Sequence, residues 1–214
     1  HNCLVGSEMC IRDRYYGLGC IVADPQKQHL IISGALNPTA AYITIYRIHD
    51  GSTWIGGMLN MDQYRHYGHY MGACVVMDNV FYIIGGWCSN QTEYIDIDEL
   101  VSGDWYLPTR TIPNTLFYSA SRWFGNGSGN CGDPGFPIHG GYAVIQDDEN
   151  RMIYILGGVN QMQDIYRINI SDQSVNKLDI ELPMPGLVCA TSILSKKTNQ
   201  IYVFKGFGTV SDLS

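Results

Sequence analysis

The side chains of this 214-residue chain that could do chemistry are few and scattered. His66 and His69 have a spacing that metal ligands use, but no Cys or carboxylate near them completes a recognised ligand pattern. His69 and His139 each stand four residues ahead of a small apolar run, at Ala73 and Ala143. That recurrence points to tying a strand entry by hydrogen bonds, so no metal site and no cofactor is expected. Gly56-Gly57 and the Gly-rich run 125–135 lack the Gly-Lys-Ser/Thr that a phosphate loop needs. No Gly-x-Ser-x-Gly nucleophile elbow is present. Asp147-Asp148-Glu149 reads as a solvated hairpin turn. No catalytic residue is assigned.

The seven cysteines give no tight spacing. Setting aside Cys3 and Cys10 at the start leaves five, an odd number that does not form a disulfide framework. Cys20, Cys74 and Cys189 lie in or beside apolar runs and read as small core residues. Cys88 and Cys131 fall in expected loops, free to pair or to react. Three triplets, Asn90-Gln91-Thr92, Asn126-Gly127-Ser128 and Asn169-Ile170-Ser171, match the N-glycosylation acceptor. The compartment stays open on these grounds, with the cytoplasm slightly favoured.

These residues need elements to position them. Apolar residues make up 45% of the chain and charged residues 15%, which suits a packed core rather than disorder. The apolar runs are about five residues long, too short for a membrane-spanning helix. Net charge is −7, with 13 Lys plus Arg and no basic cluster, which argues against duplex nucleic acid as a partner. With 24 Gly and 15 Tyr and no sustained helical period, the chain reads as all-β with many tight turns.

Short apolar runs ending in glycine recur at Leu30–Gly34, Phe81–Gly86, Ile153–Gly158 and Ile201–Gly206. Eight residues after Gly34, Gly86 and Gly158 stand Tyr42, Tyr94 and Tyr166. Further on come Trp54, Trp105 and, in the third copy, Leu178. Each unit reads as four strands. In the second these are Ala73–Met77, Val80–Ile84, Glu93–Ile97 and Gly103–Leu107, with Asp78-Asn79 as a two-residue hairpin turn. One such sheet cannot bury both of its faces alone. Stacking sheets radially does so, with Tyr and Trp filling the gaps.

Apolar strand, Gly-Gly, Tyr and Trp at a period of about 50 residues resembles the kelch repeat of β-propellers. Gly85, Gly86, Tyr94 and Trp105 make the second unit the best match. In Gly157-Gly158 the pair is kept, whereas Ser33-Gly34 and Lys205-Gly206 each lack the first glycine. The resemblance implies a partial propeller over 15–214, with blades near 15–66, 67–138, 139–186 and an incomplete 187–214, about three and a half in all. Remaining blades would lie outside this chain. Residues 1–14 are set apart, since Leu4–Arg14 resembles a translated sequencing adaptor. Asp50-Gly51-Ser52-Thr53-Trp54 is similar to the Asp-box turn of sialidase-type propellers, but it is one residue short and does not recur. It reads as a plain hairpin turn.

An insertion of about 20 residues lengthens the second unit relative to the repeat period. It carries Arg122 and Trp123 in a Gly-rich stretch. Strand alternation places it at the same end as Trp87–Thr92 and Val159–Asp164. A binding surface is expected there, made by Tyr64, Arg65, Trp87, Asn90, Arg122, Trp123, Asn160 and Gln161. The kelch resemblance implies a non-enzymatic scaffold that binds a protein partner. Two alternatives are a galactose-oxidase-like or other carbohydrate-active propeller enzyme, whose copper ligands cannot be assembled from matched positions, and a secreted or cell-surface glycoprotein.

Overall fold

The computed structural model describes residues 20–24, 28–33, 42–58, 72–85, 92–102, 110–112, 141–158, 163–183 and 190–204. The first sheet comprises β1 (Cys20–Asp24), β2 (His29–Ser33), β3 (Tyr42–Arg47) and β4 (Thr53–Met58). The second holds β5 (Ala73–Met77), β6 (Val80–Ile84), β7 (Thr92–Asp96) and β8 (Arg110–Thr111). The third holds β9 (Ala143–Asp147), β10 (Met152–Leu156), β11 (Asp164–Asn169) and β12 (Ser174–Glu181). β13 (Thr191–Ser195) and β14 (Gln200–Phe204) pair as a fourth. Within each sheet the strands follow chain order, every neighbour antiparallel. The first strands touch in series, β1 to β5, β5 to β9 and β9 to β13. The sheets therefore stack face to face around their first strands, as propeller blades do.

Alternation explains why these runs are strands. On β5 and β6, Ala73, Val75, Met77, Tyr82 and Ile84 point to the third sheet, while Val76, Phe81 and Ile83 point to the first. A strand apolar on both faces suits a blade covered on both sides. The seam between the first and second sheets contains Ile31, Ile43, Ile45, Phe81 and Ile95, each fully buried. Burying one such side chain contributes about 1.5–3 kcal/mol. The seam between the second and third adds Ile153, Ile155 and Ile168. Ala143, Ile145, Leu156 and Ala190 close the next one, with Leu194 and Val203 against them.

At one end the described hairpin turns are short. Asp78 and Asn79 have φ of 53° and 63°, the pair that a type I′ hairpin requires and that Asp and Asn tolerate. Ion pairs between turns of successive sheets, Arg151 with Asp78 at 3.1 Å and Lys196 with Asp148 at 3.7 Å, add little because both are solvated. In the β3–β4 turn Asp50 accepts from the Ser52 backbone N–H at 2.9 Å and the Ser52 hydroxyl at 2.6 Å. Those bonds hold its carboxyl down at about 2. The Asp50–Trp54 string is thus a hairpin turn entering β4.

The second sheet departs from expectation in two places. Its third strand ends at Asp96, and Ile97 opens a short helix, α1 (Ile97–Val101). Asp96 caps that helix by accepting from the Asp98 N–H at 2.8 Å, and such a cap contributes about 1 kcal/mol. Asn79 fixes the cap, donating to both Asp96 and Asp98 at 3.2 Å. Ile97 and Leu100 are buried in the seam against the first sheet. Asp98 and Glu99 stand in the first turn, where the helix dipole favours acids. The strand that pairs with β7 is Arg110–Thr111, and the expected Gly103–Leu107 strand lies outside the described residues.

The cysteines give a second correction. Cys20 and Cys74, expected as separate core residues, form a disulfide with a Cα–Cα distance of 5.8 Å. One lies on β1 and the other on β5, and both face the seam between the first two sheets. Their sequence separation of 54 hides a proximity that only the packing of successive first strands creates. Cys88, Cys131 and Cys189 lie outside the described residues.

Candidate binding face

Antiparallel alternation sends the turns β1–β2, β3–β4, β5–β6, β9–β10, β11–β12 and β13–β14 to one end of the stack, together with the longer β7–β8 connection over 97–109 that holds α1. The connections β2–β3, β4–β5, β6–β7, β8–β9, β10–β11 and β12–β13 go to the other. The second end carries the long links, residues 59–72 and 112–142 among them. All eight expected binding residues, Tyr64, Arg65, Trp87, Asn90, Arg122, Trp123, Asn160 and Gln161, belong to links at this end and lie outside the described residues. Gly34, Gly86, Trp105, Gly206, His66, His69 and His139 also lie outside the described residues.

The stems of these links are held by backbone bonds. Gly157 N–H donates to the Asp164 carbonyl at 3.0 Å, closing the base of the β10–β11 link. Ile112 N–H donates to Thr92 at 2.9 Å, which fixes where residues 112–142 depart. Leu182 N–H donates to Gln163 at 2.8 Å, and the Gln163 amide returns a bond to the Leu182 carbonyl at 3.2 Å. The links therefore spring from rigid strand ends, the setting in which loops present binding side chains.

Beneath them lies a polar group that sequence pattern does not single out. Tyr166 donates its hydroxyl to Asp164 at 3.2 Å, and Lys177 Nζ lies 2.7 Å from the other Asp164 oxygen. That bond raises the Lys177 pKa. Asp164 and Tyr166 stand two apart on β11 and so share a face, a signal visible in sequence. Lys177 arrives from β12, with Tyr166 directly opposite it in register. Tyr142 is buried just ahead of β9.

Tyr94 and Tyr166 both enter the seam between the second and third sheets. They do so from opposite sides. Tyr94 pairs with Tyr82 on β6 and stacks on it at 5.7 Å, whereas Tyr166 pairs with Ile155 on β10. Gln173 donates to the Tyr94 hydroxyl at 3.2 Å and ties the β11–β12 turn to the second sheet.

Burial pushes the phenol pKa of Tyr82 up to about 12 and those of Tyr142 and Tyr166 upward, Asp164 adding to the last. An acid whose folded pKa lies above its unfolded value stabilises fully below the unfolded pKa. It loses that contribution as pH rises through the folded one. Stability is thus expected to hold to about pH 10 and to fall between about pH 10 and 12. Absorbance at 295 nm followed with circular dichroism checks this. Ionisation of all 15 tyrosines below pH 11 with the fold intact would contradict the burial.

Among the described residues no group of three or more His, Cys, Asp or Glu could hold a metal ion, and no helix is long and apolar enough to cross a membrane. No family model matches the sequence, and no curated protein matches it. The fold is similar to that in the solved structure of YjhT. The TM-score is 0.53 at 10% sequence identity, over 84% of this chain and 56% of that one. This chain thus spans a little over half the length of that structure, and likeness at such identity carries the fold alone. The chain is an all-β, propeller-like fragment of successive antiparallel sheets.

Proposed function

We propose that the chain is part of a kelch-type propeller that binds a protein partner through the link end of its blades. The observation that carries this is the asymmetry between the two ends. One carries short hairpin turns and, in the second sheet, the helix-bearing β7–β8 connection, while the other anchors the longest links, residues 59–72 and 112–142, on hydrogen-bonded strand ends. Rigid blades with long links at one end suit recognition, because little ordering entropy is lost by the scaffold on binding. The residues proposed to make contact are Tyr64, Arg65, Trp87, Asn90, Arg122, Trp123, Asn160 and Gln161. The net charge of −7 favours a partner with basic patches.

The test is a capture from lysate of the source cells, followed by titration of the purified partner. Replacing Arg122 and Trp123 together by Ala is expected to weaken binding by about 30-fold or more, as loss of an aromatic and an arginine anchor does. Unchanged affinity in a variant with wild-type circular dichroism would remove these residues from the interface.

A further inference from the structure

We infer that this chain matures in an oxidising compartment, where the Cys20–Cys74 cross-link forms and staples the first sheet to the second. The inference is independent of the binding proposal. Its basis is where the bridge sits. Hydrogen-bonded pairing joins β1 to β2 and β5 to β6, so the first two sheets meet through side chains. The cystine adds a covalent link at the first strands, on the seam that contains Ile31, Phe81 and Ile95.

The Cα–Cα distance of 5.8 Å lies inside the range that disulfides span. Both cysteines are partly buried against the apolar seam, so the bond is shielded once it has formed. The two residues bracket the whole first sheet and the link to the second. Closing that loop restricts the unfolded chain strongly. Structural cystines of this kind persist where thiols are not held reduced, which places the chain outside a reducing cytosol. This runs against the slight preference for the cytoplasm expected from the sequence.

The chemistry is thiol–disulfide exchange with the disulfide of an oxidoreductase. The thiolate of one cysteine attacks that disulfide and forms a mixed disulfide, releasing one oxidoreductase thiol. The thiolate of the other cysteine then displaces the second. Cys20 and Cys74 lose two electrons and two protons in total, and the oxidoreductase leaves as a dithiol.

The test begins with the native protein in its own cells. Acid quenching, alkylation of free thiols, reduction and alkylation with a second reagent are followed by peptide mapping. Cys20 and Cys74 are expected to carry the second label, and the first label on both would overturn the inference. On the purified full chain, reduction is expected to lower Tm by about 5–15 °C. It should also speed amide exchange in β1–β4 more than in β9–β12. Cys74→Ser is expected to match the reduced wild type and to ignore reductant. A wild type whose Tm and exchange do not respond to reduction would overturn the stapling role.

Discussion

Phe81→Ala is expected to lower unfolding stability by about 3–5 kcal/mol. The side chain is fully buried in the seam between the first two sheets, among Ile31, Ile43, Ile45, Ile83, Ile95, Ile97 and Leu100. Its neighbours sit on paired strands and on a capped helix, so they cannot collapse into the space left. The loss therefore combines the transfer free energy of the ring with a cavity cost. In urea the midpoint should fall by roughly 1.5–2.5 M, given a slope of about 2 kcal/mol/M for a chain of this size. Ile193→Ala is the control, because Ile193 is 58% exposed, and its effect is expected within about 0.5 kcal/mol. Equal shifts for the two variants would show that Phe81 does not sit in a closed seam.

The double substitution Gly157→Ala and Gly158→Ala is expected to cost about 2–5 kcal/mol. Their φ angles are 68° and 99°, and both residues are buried at the end of β10. At 68° an L-residue meets the left-handed penalty. At 99° it lies outside even that small region. The Gly157 N–H must also keep its bond to Asp164, so the backbone cannot relax freely. Gly51→Asn provides the contrast. Gly51 has φ of 71° in a hairpin turn, and an added Cβ would meet the Tyr46 hydroxyl at 3.5 Å, an ordinary contact. Asn tolerates that conformation, so a change below about 1 kcal/mol is expected. Thermal unfolding of the three proteins measures both outcomes. A neutral double substitution would mean that the glycine pair serves no conformational need.

Much of the blade plan is legible in the amino-acid pattern alone. The apolar runs at Ala73–Met77, Val80–Ile84, Ala143–Asp147 and Met152–Leu156 are strands, and Asp78-Asn79 is the tight turn between two of them. Strand period and turn chemistry act within a few residues, so local pattern reports them. The link end follows from counting antiparallel strands. Its eight candidate residues lie outside the described residues, and their contact with a partner is a proposal.

Other features are silent in the pattern because they depend on register. Tyr94 and Tyr166 share an eight-residue offset from their glycines, yet they face opposite ways. At the link end Ile84 pairs with Thr92, whereas Leu156 pairs with Ile165. The two pairings differ by one residue, and a one-residue shift turns a side chain to the other face. The helix at Ile97 is similarly hidden. Its cap depends on Asn79, which arrives from the β5–β6 turn.

Most strands, the Asp78-Asn79 turn and the repeating all-β plan are readable in the amino-acid pattern, because they follow from side-chain alternation and local backbone preference. The tertiary structure alone decided the Cys20–Cys74 bridge, the side of the seam each tyrosine fills, and the meeting of Lys177 on β12 with Asp164 on β11. Each of these is a distance between strands. Such distances exist only after sheets have paired in one register and stacked around their first strands.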